Sequence, residues 1–453
     1  MKKIFVETYG CQMNEYDTEL VRAILKKENY SFVTDELTAD IIMLNTCAIR
    51  EHAHRKVYGR IHEIKHKRQM AHGKGHTPVK IGILGCMATN LRTELLENRK
   101  LEIDFIAGPD SYKRLPQLIE ECFVTEDTRA NSTSPLHKPF DVTLSEFETY
   151  SDVMPKPDNA AGTFISIQRG CNNFCTFCVV PYTRGRERSR SVENVVEEVK
   201  RLADSGFKQI TLLGQNVNSY RHEEADFADL MQAVSGVHGI ERIRFTSPHP
   251  KDFPDKFLRV MADNPKICKQ IHLPLQAGNN RVLDLMNRTY TREEFLALVD
   301  KIRETIPGVA LSTDVIVGFS SETDAEFEET LDVMQRVEFD SAFMFKYSER
   351  KQTIASRKFP DDVPDAIKTE RIVRLNELQK EISLKKNRAH IGETLTILIE
   401  NTNPSKGEGQ VIGRSDANKI VSIAQNGYAL GDFVDVKIMD ASPHGLKGAA
   451  ITH

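Results

Sequence analysis

Three cysteines stand within eight residues of one another, as Cys171-Asn-Asn-Phe-Cys175-Thr-Phe-Cys178. The spacing C-x3-C-x2-C lets one short loop aim three thiolates at a single centre. A closed zinc site takes four protein ligands, so three suit zinc only if a distant fourth joins them. Three thiolates on an iron–sulfur cluster leave one iron open to a substrate or cofactor. Spacing alone leaves a cluster, a zinc ion and plain buried thiols all open.

Three further cysteines, Cys11, Cys47 and Cys86, are far apart but share a setting. Each follows a strand-like apolar run: Ile4-Phe5-Val6, Ile41-Ile42-Met43-Leu44 and Ile81-Gly82-Ile83-Leu84. Gly10 and Gly85 stand directly before their cysteines, where a residue without a Cβ allows a tight turn. Helical patterns follow over 14–28, 50–69 and 89–98. The order strand, cysteine, helix thus occurs three times. In an open parallel sheet, ligands bind beyond the carboxyl ends of the strands. The three thiols are therefore expected to converge on a second site. Unrelated buried thiols are the alternative, because free cysteine is often buried. Cys122 ends a helical pattern with Leu115, Leu118 and Ile119. Cys268 precedes the strand-like run 270–273 and has no partner at ligand spacing. Both are expected in the core.

The elements that must position these residues divide the chain. Residues 1–122 alternate strands and helices, as a small doubly wound α/β domain with a parallel sheet. Residues 123–160 lose the periodicity, and the polar run 125–135 followed by Pro155 and Pro157 reads as a linker. Within 161–390, six strand-like runs alternate with helices: 163–168, 209–213, 242–246, 270–275, 310–317 and 341–347. That pattern predicts a partial (β/α)6 barrel with its site at the C-terminal strand ends. Cys171 follows the first of these strands, which puts the cysteine loop on that face. Residues 364–390 read as one long helix with a core stripe of Ile372, Leu375, Leu378 and Ile382. Residues 391–453 switch to short strands at 394–399, 409–413, 419–423, 433–438 and 446–451. These predict a small antiparallel β-barrel.

The whole chain has 453 residues, with 61 Lys and Arg against 65 Asp and Glu and a formal charge of −4. A strongly basic protein is excluded, so any nucleic-acid surface is a local patch. Hydrophobic residues at 40% and charged residues at 28% describe a globular chain, not a disordered one. No run approaches the roughly 20 apolar residues of a membrane span. Glu7 and Tyr9 interrupt the apolar start too early for a signal peptide. A reducing cytoplasm is expected, where eight cysteines serve as metal ligands or buried thiols rather than disulfides.

On these motifs the chain resembles a known family. The C-x3-C-x2-C loop after a first barrel strand is similar to that of the radical S-adenosylmethionine (radical SAM) enzymes. Thr8-Tyr9-Gly10-Cys11-Gln12-Met13-Asn14 and Leu44-Asn45-Thr46-Cys47-Ala48-Ile49-Arg50-Glu51 resemble the methylthiotransferases among them. The order of domains matches that family, and the last module resembles a TRAM domain. Within the family, Val179-Val180-Pro181-Tyr182-Thr183-Arg184-Gly185-Arg186-Glu187 and Leu212-Leu213-Gly214-Gln215-Asn216-Val217-Asn218 are similar to one branch. That branch modifies tRNA carrying N6-isopentenyladenosine at position 37. Other branches modify threonylcarbamoyladenosine in tRNA, or an aspartate of a ribosomal protein. Two loops depart from the pattern. Ser320-Ser321 stands where Pro-Gly is usual, and Lys351-Gln352 lacks the usual glycine before Thr353.

The resemblance implies two [4Fe-4S] clusters. Cys171, Cys175 and Cys178 would hold the one whose open iron binds S-adenosyl-L-methionine and yields a 5′-deoxyadenosyl radical. Cys11, Cys47 and Cys86 would hold the second, where sulfur waits for transfer to carbon 2 of the adenine. S-adenosylmethionine would be used twice, once to methylate a sulfide and once to make the radical. Phe177 resembles the aromatic beside the cofactor's adenine. Gln215 and Asn216 end the second barrel strand, where related enzymes grip the methionine amino group. Gln276 and Asp314 fall at or near strand ends, and Val317 is expected to offer backbone contacts. A flavodoxin- or ferredoxin-like electron donor, a sulfur source and a monomeric state complete the expectation. The rival class is a non-catalytic iron–sulfur electron carrier with an RNA-binding tail.

A tRNA partner requires basic surface. Residues 182–190 carry Arg184, Arg186, Arg188 and Arg190 against Glu187, and arginine engages phosphates bidentately. Arg184 and Arg186 are therefore candidate RNA contacts. So are Arg414, Lys419 and Lys437 of the last module, since positive grooves on small barrels track phosphate backbones. The long helix carries Lys368, Arg371, Arg374, Lys380, Lys385, Lys386 and Arg388, readable as RNA-facing or as solvated. His52, His54, His62, His66, His72 and His76 share 50–80 with nine Lys and Arg, which disfavours a bound cation. They are expected to be solvated or RNA-facing.

Overall fold

The apolar runs that precede Cys11, Cys47 and Cys86 form the centre of a six-stranded, all-parallel sheet. In the computed structural model, strands Lys3–Tyr9, Ile41–Thr46 and Lys80–Gly85 lie side by side. Ser31–Phe32 flanks the first, and Phe105–Ala107 then Phe140–Asp141 extend beyond the third. The structure describes residues 1–48, 51–72, 79–128, 138–155, 157, 161–404 and 409–451. Ile41–Thr46 and Lys80–Gly85 are buried along their whole length, as strands covered by helices on both faces must be. Register then does what sequence distance hides. Tyr9 pairs with Thr46 and Thr46 with Gly85, so the three strands end on one row just before their cysteines.

The expectation of a linker over 123–160 needs correction. Helix Leu115–Thr128 runs past residue 122, and Phe140–Asp141 is the sixth strand of the sheet. Tyr150 is buried, donating its hydroxyl to the Pro109 carbonyl at 2.9 Å. A two-residue strand is too short to show periodicity, which is why the sequence read as unstructured there. Ile49, Arg50, His76 and residues 129–137 lie outside the described residues. His62 and His66 are exposed.

The second domain is a partial barrel of six parallel strands in two sheets. Gln209–Leu213 lies between Gly162–Ser166 and Arg242–Phe245, and Ala310–Val317 lies between Gln270–His272 and Ser341–Lys346. A bridge from Ile243 to Ile267 joins the two halves of the wall. Cys268 is buried there, and burial pushes its thiol up to about 12. Cys122 is buried in the first domain and donates to the Leu118 carbonyl at 3.1 Å. The helix Asp365–Arg388 packs Leu375, flanked by Ile372 and Leu378, onto the barrel core. Most of its cations serve structure. Lys368 pairs with Asp361, Arg371 with Glu322 and Asp324, Arg374 with Glu328, Lys385 with Glu338 and Lys386 with Asp340.

The C-terminal module is a closed five-stranded barrel of Thr394–Asn401, Gln410–Ser415, Ile420–Ala424, Gly445–Ala450 and Phe433–Ser442. Four of its pairings are antiparallel, and the one between Ile420–Ala424 and Gly445–Ala450 is parallel. It docks at the N-terminal ends of the large barrel's strands, opposite the cysteine loop. Arg242 donates to the carbonyls of Arg414 and Thr396, and Arg244 to those of Ser415 and Asp416. Lys419 pairs with Asp340 at 2.7 Å and is 7% exposed. Lys419 is therefore an anchor between domains, which corrects its reading as an RNA contact.

Candidate active site

The loop triad sits where the first barrel strand ends. Gly170 is fixed by its N–H donating to the Gln215 side-chain carbonyl, which braces the loop against the second strand's end. Cys171 and Cys175 are buried and Cys178 is half-buried. Burial raises the Cys171 thiol to about 12 and raises Cys178 as well, so without a metal both stay protonated near neutrality. One cation breaks the apolar setting. Arg288 is buried, and its Nη1 donates to the Cys175 sulfur at 3.2 Å. Its other partners are the Tyr290 hydroxyl and the Pro274 carbonyl. Among the described residues no carboxylate pairs with it. A buried guanidinium without a counter-ion is costly, and a bound anionic cluster would supply one.

The sheet triad is assembled by close packing of three strand ends. A Cβ on Gly10 would stand 2.8 Å from the Cys47 Cβ, and one on Gly85 would stand 2.5 Å from the Asn45 side-chain oxygen. Gly85 also has φ +87, a conformation that favours glycine. Asn14 explains part of the Cys11-Gln12-Met13-Asn14 run. Its side chain donates to Asn45 and to the Thr46 carbonyl and accepts from the Cys11 N–H, so it laces the first two strand ends together. A hydrogen bond from Cys47 lowers the Cys11 thiol to about 6, with Arg184 helping against burial. Burial pushes Cys86 up. Arg184 Nε donates to the Cys86 sulfur at 3.1 Å.

The two triads lie close to one domain contact. Val179, directly after Cys178, packs against Ala48 and Cys86. Arg184 comes from the barrel domain and reaches Cys86 of the first domain, while its Nη2 pairs with Asp17 at 2.7 Å. Arg169 pairs with Asp17 at 2.9 Å, and Arg188 with Asp110 at 2.9 Å. Arg190 pairs with Glu198 at 2.6 Å. Three arginines thus meet two buried first-domain carboxylates, leaving one positive charge. Arg184 Nη1 and two Arg169 nitrogens are buried without a hydrogen-bond partner, although Arg169 Nε stands 3.8 Å from an Asp110 oxygen. Both donor sets therefore suit an anionic iron–sulfur cluster. Among the described residues no three His, Cys, Asp or Glu gather tightly enough to hold a single metal ion.

The other expected site residues separate. Arg184 is 3% exposed, so its expected role at the RNA surface is corrected: its charge is spent between Asp17 and Cys86. Arg188 and Arg190 are buried too, and of that run only Arg186 is exposed, 4.3 Å over the Phe174 ring. Arg414 is half-buried and donates to Glu400 at 2.9 Å. Lys437 is exposed. Phe177 is half-buried against the barrel core. Asn216 is buried, donating to Asp252, with its side-chain oxygen unpartnered. Gln276 sits at φ +68 and exchanges backbone hydrogen bonds with Asp314 and Ile316. Asp314 is half-buried and pairs with His272 at 3.2 Å. The Val317 side chain is wholly in the core, and its carbonyl accepts from Tyr347 N–H. Asp17, Asp110, Arg169 and Arg288 were not singled out from sequence. No local pattern marks a lone residue whose partner lies 78 or more positions away.

The fold and the three-cysteine loop define a radical SAM enzyme. Residues 165–334 match the Radical SAM superfamily, 3–108 the Uncharacterized protein family UPF0004, and 388–451 the TRAM domain. The tRNA-2-methylthio-N(6)-dimethylallyladenosine synthase of Phocaeicola vulgatus is 43% identical over 456 residues, covering 99% of this chain and 96% of that protein. The synthase of the same name from Chloroherpeton thalassium is 42% identical over 451 residues, covering 99% and 96%. The chain belongs to this family of radical SAM tRNA methylthiotransferases. Among solved structures, the radical S-adenosylmethionine methyltransferase TsrM of Kitasatospora setae shares the fold, with a TM-score of 0.56 at 15% identity, over 76% of this chain and 73% of that one.

Proposed function

We propose that this chain transfers a methylthio group to carbon 2 of N6-dimethylallyladenosine (isopentenyladenosine) at position 37 of tRNA. The carrying observation is the meeting of two three-cysteine sites from different domains at the Cys86–Val179 contact. Carbon 2 of adenine has no acidic hydrogen, so its replacement needs both a radical and a waiting sulfur donor at one place. The loop triad would hold the [4Fe-4S] cluster that supplies the electron for S-adenosylmethionine cleavage, and the sheet triad the [4Fe-4S] cluster that supplies the sulfur site. A non-catalytic electron carrier would not need three-ligand sites that leave an iron open at both clusters.

The chain's own residues hold the charges in place. Arg288 faces Cys175 and Arg184 faces Cys86, each donating to a ligand sulfur and neutralising negative charge there. Asp17 fixes the direction of Arg184. Gln215 braces the cluster loop through Gly170 rather than gripping the cofactor. Asn216 keeps a buried acceptor free beside the loop, suited to a cofactor ammonium. On the RNA side, Arg186 and Lys437 are exposed, as is Lys447. Lys437 and Lys447 join no ion pair among the described residues and suit phosphate contacts. Eight cysteines and an RNA substrate suit the reducing cytoplasm. The reaction also needs a flavodoxin- or ferredoxin-like reductant and a sulfur source.

The test is anaerobic reconstitution with iron and sulfide, followed by turnover with isopentenylated tRNA and nucleoside mass spectrometry. The expected product is 2-methylthio-N6-isopentenyladenosine. A fully loaded enzyme that cleaves S-adenosylmethionine but leaves that nucleoside unchanged overturns the proposal.

A further inference from the structure

The inner wall of the large barrel carries aromatic surface that no role above uses. Ser341–Lys346 is the last strand of its sheet. Ala342 and Met344 pack outward against the helical core. Phe343 and Phe345 alternate with them and remain 53% and 42% exposed. Their direction is fixed by a ring contact. Phe343 lies edge-on to His272 at 5.9 Å, although the strand Ala310–Val317 runs between theirs. A contact that skips a strand forms on the concave side of a sheet, so both phenylalanines face the barrel interior. Asp314 and Ile316 lie opposite them in register, and Asp314 is engaged by His272. Neighbouring exposed phenylalanines in a concave wall are informative in a way that a lone exposed leucine is not.

The same strand leads to both triads. In the segment that follows, the Ala355 N–H donates at 2.7 Å to the carbonyl of Thr176, between Cys175 and Cys178. Gln352 donates at 3.4 Å to the carbonyl of Asn90, on the helix that starts at Cys86. The phenylalanine pair thus lies on the strand whose following segment touches both triads.

We infer that Phe343 and Phe345 form the subsite for the target nucleoside, taking the adenine ring and its apolar N6 substituent. This rests on the proposed function and adds where the prenyl group is read. A dimethylallyl group offers no hydrogen bond, so only apolar contact distinguishes it from a bare amine. Phenylalanine also stacks on an unpaired base, the usual way single-stranded RNA is held. The chain's lack of tryptophan gives the inference a clean reporter.

The experiment uses the full reconstituted enzyme and two synthetic anticodon stem-loops, with N6-dimethylallyladenosine or plain adenosine at position 37. Phe345→Trp should give an indole emission that falls at least twofold with the prenylated RNA and much less with the plain one. The double variant Phe343→Ala/Phe345→Ala, at wild-type iron content, should raise KM for the prenylated RNA more than tenfold. Its kcat should fall less than its KM rises, and its Kd for plain RNA, which loses only the stacking on the adenine ring, should rise far less than that for the prenylated RNA. Phe343→Leu/Phe345→Leu should recover most of the lost affinity. Equal weakening for both RNAs, an unchanged KM, or an emission blind to the prenyl group overturns the inference. If wild-type enzyme makes no methylthio product from the prenylated RNA, the proposed function itself fails. A wild type that turns over beside an unaffected double variant sinks only the subsite.

Discussion

The two cysteine triads reach the same end by opposite routes. The loop triad needs eight residues and one strand end. The sheet triad needs three strands in register, two close-packed glycines and Asn14 to lace the ends. Each has one buried arginine donating to one cysteine sulfur, but the arginines differ in company. Arg184 is already paired with Asp17 and belongs to a network that joins two domains. Among the described residues Arg288 has only a hydroxyl, a carbonyl and the Cys175 sulfur. The sheet site is thus held by a charge network that exists without a cluster. The loop site holds a cation that waits for one.

The largest test of that difference removes each triad in turn. Replacing Cys171, Cys175 and Cys178 by Ala should leave about half of the reconstituted iron, since each triad would hold one cluster. It should also abolish 5′-deoxyadenosine formation. Replacing Cys11, Cys47 and Cys86 should leave the other half, with slow reductive cleavage of S-adenosylmethionine and no methylthio product. Full iron in either variant would break the assignment of two sites.

Next come the arginines. In the metal-free chain, Arg184→Met opens a buried ion pair and should cost about 3 kcal/mol, read as a lower urea midpoint. Arg288→Met removes a buried cation that has no carboxylate, so it should cost about 1 kcal/mol or less. In the loaded enzyme the ranking should reverse for the radical site. Arg288→Met should lose iron from the loop triad, counted in the sheet-triad Ala background. Equal destabilisation by the two would erase the distinction.

What the sequence revealed follows the same line. The loop triad was legible because its ligands are local. The sheet triad was legible because the apolar runs before Cys11, Cys47 and Cys86 announce parallel strands, and strand ends in such sheets converge. The strand predicted over 310–317 is Ala310–Val317. The arginine run misled because Asp17 and Asp110 are remote in sequence from Arg184 and Arg188, the cations they pair with; Glu198 is close to Arg190 in sequence. A cluster of cations reads as surface until its carboxylates are known. Lys419 misled in the same way, through Asp340. Phe140–Asp141 was invisible because two residues carry no period. Arg288 was missed because a single arginine after a short helix carries no signal of the sulfur it meets.

A third test acts on one side only. Burial first, then Arg288 and Lys251, lowers His249 to about 2, against 6.5 when unfolded. His249 packs edge-on to Tyr290, which receives the Arg288 Nε hydrogen bond. Below pH 6.5 the unfolded chain takes up a proton that the folded chain refuses. Stability from this group is therefore full above about pH 6.5 and falls as the pH drops, by up to about 1.4 kcal/mol per unit. The urea midpoint of the wild type should decline from pH 7 to 5, and His249→Asn should flatten that decline. The Arg184→Met variant should keep the wild-type slope, because the histidine belongs to the loop side. An unchanged slope in His249→Asn would assign the pH response elsewhere.

The smallest effect concerns the two loops that depart from the family's pattern. Both departures place a side chain where glycine is usual, and both keep the glycine-like backbone: Ser321 has φ +56 and Gln352 has φ +72. Such a conformation costs an L-residue roughly 1–2 kcal/mol, and glycine returns part of it as greater freedom in the unfolded chain. Ser321→Gly should therefore gain up to about 1 kcal/mol. Its N–H would still donate to Asp362 and its carbonyl would still accept from Arg281, while only the hydroxyl contact with Arg281 is lost. Gln352→Gly relieves the same strain but gives up the bond to the Asn90 carbonyl, beside the sheet triad, and loosens a segment whose Ala355 holds Thr176 in the loop triad. The two substitutions should thus agree in backbone relief and differ in where they are felt. Ser321→Gly should raise the urea midpoint and leave turnover as it was. Gln352→Gly should gain less stability, and lower the yield of methylthio product per S-adenosylmethionine cleaved, because Gln352, beside the Lys351–Glu94 ion pair, ties the strand of Phe345 to the first domain. Equal coupling in both variants would show that the contact between the triads holds without that tie.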